Sequence, residues 1–155
     1  MIRAAATLAA LVLIAGAAPG QAANPCYDVG RMAQHVQDSG LAWERRGEDL
    51  WRVDMESGTR RFVRVVASCG TNVVIVFAVL ADAKDLKPSE ALYLYLLRNA
   101  SRFDHVKIGI DPDGDYLARI DLRSRTFDAK DLEAAARQIR AVVDDLTPGL
   151  RAHAN

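Results

Sequence analysis

The stretch Ile110-Asp111-Pro112-Asp113-Gly114-Asp115-Tyr116 sets three carboxylates at alternate positions. Clustered carboxylates are hard oxygen ligands, so the first chemistry to test is a calcium loop. Such a loop needs acidic ligands at positions 1, 3 and 5, glycine at 6 and a bidentate glutamate at 12. Counted from Asp111, Asp113 and Asp115 fall correctly. Position 6 is then Tyr116 and position 12 is Leu122, so the glycine comes too early and the glutamate is missing. A hairpin explains every residue instead. Pro112 presets the turn, and Gly114 tolerates the positive φ that Asp-Gly turns use. The residues favour a turn and no specific metal site. The alternative is a small metal-dependent enzyme or cation-binding protein using Asp111, Asp113 and Asp115.

The remaining candidates for chemistry are sparse. His35, His105 and His153 lie far apart in sequence and lack a partner at ligand spacing. Ser68-Cys69-Gly70 has no local base to activate a thiol, and no Gly-x-Ser-x-Gly elbow occurs. Asn99-Ala100-Ser101 matches a glycosylation sequon, but Asn99 sits where a helix end needs its carbonyls capped. No catalytic residue, metal or cofactor is expected.

The N-terminus is more informative. Met1-Ile2-Arg3 is short and positive, residues 4–18 are an uncharged run rich in alanine and leucine, and Pro19-Gly20 breaks it. That is the layout of a signal peptide over residues 1–23, with cleavage after Ala22 or Ala23. The run is short for a membrane span; the alternative, an uncleaved anchor, would want basic residues after it. Pro25 before Cys26 does not fit a lipidation site. The expected location is the periplasm or outside the cell, with no membrane span after cleavage.

Cleavage leaves about 132 residues, enough for one domain burying roughly two-thirds of its unfolded surface. Acidic and basic residues number 20 each in the full chain, so no basic field exists to hold nucleic acid. Both cysteines, Cys26 and Cys69, fall in the mature part. In an oxidising compartment an even pair predicts a disulfide, the alternative being two free thiols.

These residues need elements to position them. Apolar spacing predicts a first helix over 27–37, ended by Asp38-Ser39-Gly40. Strands follow over 42–46 and 50–55, 61–68, and 73–80. The last is a nearly continuous apolar run, read as buried on both faces. Pro88-Ser89-Glu90 opens a middle helix. Leu92, Tyr95, Leu96 and Asn99 share one face of it; Tyr93, Leu94 and Leu97 remain on the others. Either another helix of the chain covers those three, or they form an interaction face, and a second copy is the simplest cover. Alternating strands over 106–110 and 116–122 flank the Asp-Pro-Asp-Gly turn. Asp128 caps a last helix with one clean apolar stripe, stopped by Thr147-Pro148-Gly149, and residues 151–155 form a frayed tail. The expected fold is α+β, a mostly antiparallel sheet of about five strands with three helices in the order α-β-β-β-α-β-β-α. It forms one domain over residues 24–150.

That order, with Leu-Tyr-Leu-Leu-Arg-Asn-Ala-Ser from Leu94, the strand-turn-strand from Lys107 to Leu122, and Phe-Asp-Ala-Lys-Asp-Leu-Glu-Ala-Ala-Ala-Arg-Gln-Ile from Phe127, resembles the YbjN family. That family shares the type III secretion chaperone-like fold, and the resemblance spans residues 40–148. It implies an antiparallel sheet with helices, dimers through the middle helix, no catalytic residues, and a regulatory or chaperone-like binding role. Familiar members are cytoplasmic, and this chain departs from them in its export signal and cysteine pair. What carries over is the scaffold. The expected function is an exported, non-enzymatic protein acting through contacts with a protein partner.

Overall fold

The computed structural model describes residues 26–155; the signal-peptide reading of 1–23 lies outside them. Helix α1 (Val29–Asp38) is followed by four strands, β1 (Glu44–Arg45), β2 (Leu50–Met55), β3 (Val63–Cys69) and β4 (Val73–Ala81). Helix α2 (Glu90–Ala100), β5 (Lys107–Ile110), β6 (Tyr116–Arg123) and α3 (Ala129–Leu150) complete the domain. The strands form one antiparallel sheet in the order β1-β2-β3-β4-β6-β5. The fold is α+β, with six strands where about five were expected. The segment read over 42–46 forms a strand of its own, β1, but only two residues of it pair, with Trp51 and Arg52.

The sheet's inward rows are built from cross-strand apolar pairs. Val53 faces Val65, Trp51 faces Ala67, Ala67 faces Val76, and Val76 faces Ile120, all buried. Helix α3 lies over β3, β4 and β6, and its whole predicted stripe, from Leu132 to Leu146, is buried. Each leucine, isoleucine or valine of it contributes about 1.5–3 kcal/mol relative to exposure. Helix α1 packs beside α3 through Met32 and Val36.

Strand β4 is not buried on both faces. Val74, Val76, Ala78 and Leu80 are buried, whereas Val73 and Val79 are exposed and Ile75 and Phe77 half-buried. The continuous apolar run reflects a central strand whose second face stays open, because α3 lies against the inward one.

The helix starts follow their caps. Asp28, Ser89 and Asp128 each accept a hydrogen bond from the first turn, and Asp128 and Asp131 form a reciprocal capping box. Gly40, at φ 70°, ends α1. The end of α3 departs from expectation. The helix runs through Pro148 to Leu150, because tertiary contacts outweigh the missing amide. Leu146, Thr147 and Leu150 are buried, and the Tyr95 hydroxyl donates to the Leu146 carbonyl at 3.0 Å. Gly149 is therefore no helix stop. It makes room: a Cβ there would overlap the Tyr95 ring.

Residues 151–155 do not fray. A 3₁₀ turn (Arg151–His153) leads to an antiparallel bridge between Ala154 and Leu86. The Lys87 amide donates to the His153 carbonyl and the Asn155 amide to the Asp85 carbonyl. The tail's backbone groups are thus paired.

One carboxylate ties the β2–β3 turn to α3. Asp144 accepts from the Ser57 hydroxyl, the Thr59 hydroxyl at 2.9 Å, the Gly58 amide at 3.4 Å and Arg140 at 3.0 Å. Arg60 follows this turn. It donates to the Thr147 hydroxyl at 3.0 Å and to the Leu80 carbonyl.

Two outcomes check this account. Gly149→Ala should destabilise by about 1–3 kcal/mol in urea melts although alanine favours helices, and Tyr95→Ala in the same chain should relieve most of the added cost. For Asp144, burial raises the carboxyl pKa, but the hydrogen bonds from Ser57, Thr59, Arg140 and Gly58 outweigh it and hold it well below the usual carboxylate range. A pKa lowered by folding adds stability that is full above about pH 5 and lost progressively as pH falls further. Asp144→Asn should therefore be less stable than the parent at neutral pH. The gap should narrow between about pH 5 and pH 2; a constant gap would refute an ionised clamp.

Candidate protein-interaction site

Helix α2 is held by one face only. Leu92 and Leu96 are buried, and Tyr95 reaches α3. The Asn99 side-chain amide donates to the Tyr95 carbonyl at 2.8 Å and its oxygen accepts from Arg102. Asn99 is thus spent on the helix end, as its position suggested. Of the three residues left over, Tyr93 is 41% exposed, Leu94 40% and Leu97 68%. Among the described residues no other helix covers them.

These side chains do not stand alone. Tyr93 and Leu97, with Leu96 and Ala100, form one wall of a groove of about 300 Å³ whose other wall is Ile108, Gly109 and Ile110 of β5. Ile110 is 52% exposed. Burial, and then the Tyr93 hydroxyl, push the Tyr116 phenol pKa up. The apolar face is therefore continuous from helix to edge strand. Ile108, Gly109 and Ile110 were legible as strand residues, but their part in this face was not. It depends on β5 being the outer strand, beyond β6.

The three aspartates lie in and beside the hairpin turn. The Gly114 amide donates to the Asp111 carbonyl, closing a turn with Pro112 and Asp113 at its centre, and Gly114 has φ 88°. The Asp111 carboxylate accepts from the Asp113 and Asp115 amides, both at 2.9 Å. Asp115 turns the other way and accepts from the Ala83 amide at 2.8 Å. Two of the three carboxylates are engaged by backbone donors, and no trio of potential ligands gathers among the described residues.

The histidines also stay apart. His35 accepts from Arg31 and packs on Phe127, His105 sits at a backbone φ of 63°, and His153 packs near Tyr95. Cys26 and Cys69 form a disulfide with Cα atoms 4.8 Å apart. It joins the entry to α1 to the end of β3, beside a hydrogen bond from the Tyr27 amide to the Gly70 carbonyl. Closing this 43-residue separation contributes about 4 kcal/mol in the chain-entropy model. Among the described residues no helix is long and apolar enough to cross a membrane.

No family model matches the sequence, and no curated protein matches it either. Solved structures do match. The ExsC–ExsE complex superposes at a TM-score of 0.57 with 15% identity, over 79% of this chain and 92% of that one. YbjN from E. coli gives 0.55 and 12%, over 83% and 95%. The chain has the YbjN and type III secretion chaperone-like fold. A third match, the HopA1–SchA chaperone–effector complex, gives 0.51 and 16%, over 80% and 95%. At these identities the likeness is one of fold. Within this YbjN-like fold the apolar α2–β5 face is the candidate site.

The turn assignment predicts a clear asymmetry. Asp111→Ala should cost about 1–2 kcal/mol through the loss of two hydrogen bonds donated by backbone amides, whereas Asp113→Ala should stay within about 0.5 kcal/mol. Thermal melts with and without millimolar calcium should give the same ranking.

Proposed function

We propose that the protein is an exported, non-enzymatic binding protein of the YbjN type, with a chaperone-like or regulatory task. It acts through polypeptide contacts at the outer face of α2. The observation that carries this reading is the continuous apolar face of Tyr93, Leu97 and the Ile108–Ile110 segment, left open on a stable fold. Soluble proteins rarely leave such a face open without a partner. Two similar folds, ExsC–ExsE and HopA1–SchA, were solved as complexes, the second of a chaperone with its effector. Those pairings support polypeptide binding as the task here.

The sequence of residues 1–23 supports export, and the Cys26–Cys69 bridge fits an oxidising compartment. The periplasm or the exterior is therefore the proposed location. Where no other polypeptide is present, a second copy is the proposed occupant, packed through Tyr93, Leu94 and Leu97. A closed two-fold dimer hides such a patch with its own counterpart.

Sedimentation equilibrium and envelope capture test this reading with the chain expressed for export, alongside Leu97→Glu. The parent should self-associate with concentration or retain a specific polypeptide, and Leu97→Glu should lose both. A parent that stays monomeric and retains nothing beyond what Leu97→Glu retains would sink the proposal.

A further inference from the structure

The C-terminal end of α3 shapes a second feature, away from α2. The helix runs on through Pro148 and brings Leu150 and Arg151 beside Leu80 and Ala81 at the end of β4. The bridge between Leu86 and Ala154 carries the tail back across the segment that follows β4. Between these parts lies a cavity of about 420 Å³. Leu80, Leu86 and Leu150, all buried, give it an apolar floor. A space of this size suits a small molecule.

Two arginines, Arg60 and Arg151, line the cavity. Arg60 is half-buried, and a charge withdrawn from water ordinarily has a partner of opposite sign. Neither arginine forms a salt bridge among the described residues. Asp144 is near Arg60 in charge, but Ser57, Thr59, Gly58 and Arg140 occupy it. Neutral acceptors hold the guanidinium groups instead. Arg60 Nε donates to the Thr147 hydroxyl at 3.0 Å and Nη2 to the Leu80 carbonyl. Arg151 Nη2 donates to the Thr59 carbonyl at 2.7 Å. These bonds fix the two groups without neutralising them. Nη1 of Arg60, and Nε and Nη1 of Arg151, donate to no acceptor among the described residues. Burial, and then the Arg151 charge, push the Arg60 pKa down.

Two carboxylates, Asp82 and Asp85, line the same cavity. Asp82 is tied to Lys84 at 3.2 Å, and Asp85 has no salt bridge among the described residues. They offset part of the arginine charge and repel a second negative charge on anything bound. The site therefore suits a monoanion and disfavours a dianion. The Thr147 hydroxyl donates to the Val143 carbonyl at 2.6 Å while accepting from Arg60, so it serves to place that arginine.

From these features we infer that the cavity at the end of α3 binds a small organic monocarboxylate with an apolar body. The carboxylate takes the unused N–H groups of Arg60 and Arg151, whose planar forks match its two oxygens. The apolar body lies over Leu80, Leu86 and Leu150. This cavity shares no lining residue with the groove between α2 and β5. The inference therefore stands apart from the polypeptide-binding reading above.

Isothermal titration calorimetry of the disulfide-bonded mature protein tests it, with isocaproate as the probe. Three comparisons accompany it above neutral pH. Acetate lacks the apolar body, inorganic phosphate is mostly a dianion, and isoamylamine carries an amine in place of the carboxylate. Isocaproate should bind saturably, and each comparison should bind at least about ten-fold more weakly. Arg151 is exposed, so Arg151→Gln should keep the parent's melting temperature. It should weaken isocaproate by about ten-fold or more. Leu97→Glu, on the α2 face, should bind isocaproate as the parent does.

Absence of saturable isocaproate binding overturns the proposal. So does any comparison that binds as tightly as isocaproate, and so does equal affinity of Arg151→Gln and the parent. If Leu97→Glu loses isocaproate, the signal arises at the α2 face and the carboxylate site falls. A parent that binds isocaproate through Arg151 but neither self-associates nor captures a polypeptide upholds the carboxylate site. In that case only the polypeptide-binding reading falls.

Discussion

The packing of α3 on the sheet is the constraint on which the remaining structure depends. Its stripe from Leu132 to Leu150 covers the inward rows of β3, β4 and β6, and other parts are fastened to it. Helix α1 leans on it, the β2–β3 turn is tied to it through Asp144, and α2 is hung from it by Tyr95. A 22-residue helix with one apolar face can bury that face only against a surface of similar length. The antiparallel sheet is that surface.

This arrangement leaves α2 at the margin. It touches α3 and the edge strand β5 and buries only Leu92 and Leu96 deeply. The helix is rich in leucine and tyrosine, yet the fold covers only one side of it. The same asymmetry leaves the outer edge of β5 without a strand against it among the described residues. An open helix face and an open strand edge are therefore neighbours for one reason: they lie at the end of the sheet that α3 does not reach across. The disulfide acts at a distance from this region, on the α1 side, so the binding face and the covalent staple are separate features of one scaffold.

Local chemistry accounts for what was legible in the sequence. The Asp128 cap acts within a few residues and sets the start of α3, and Pro88-Ser89-Glu90 marked the opening of α2; the Asp28 cap was read as part of the first helix, which starts two residues later than expected. Period-2 alternation located β6, and the Asp-Pro-Asp-Gly stretch located its hairpin. The misreadings share one cause. Pro148 and Gly149 carry a strong local stop signal, but the burial of Leu150 and the approach of Tyr95, some fifty residues away in the chain, decide that the helix continues. The tail looked free because its partners, Leu86 and Lys87, are remote in sequence. Strand β4 looked doubly buried because composition reports apolarity and not which layers are present.

By itself, then, the sequence determined most of the elements, the Asp128 cap, the turn at Asp111 to Asp115 and the pairing of its two cysteines. Each follows from contacts within a few residues or from composition. Only the tertiary structure decided which apolar residues become core and which become surface. Tyr93, Leu94 and Leu97 read as apolar beside Leu92 and Leu96, and periodicity separates them into faces without saying which is covered. That depends on the order of strands in the sheet and on where α3 ends, and both are set by pairings between residues far apart in the chain.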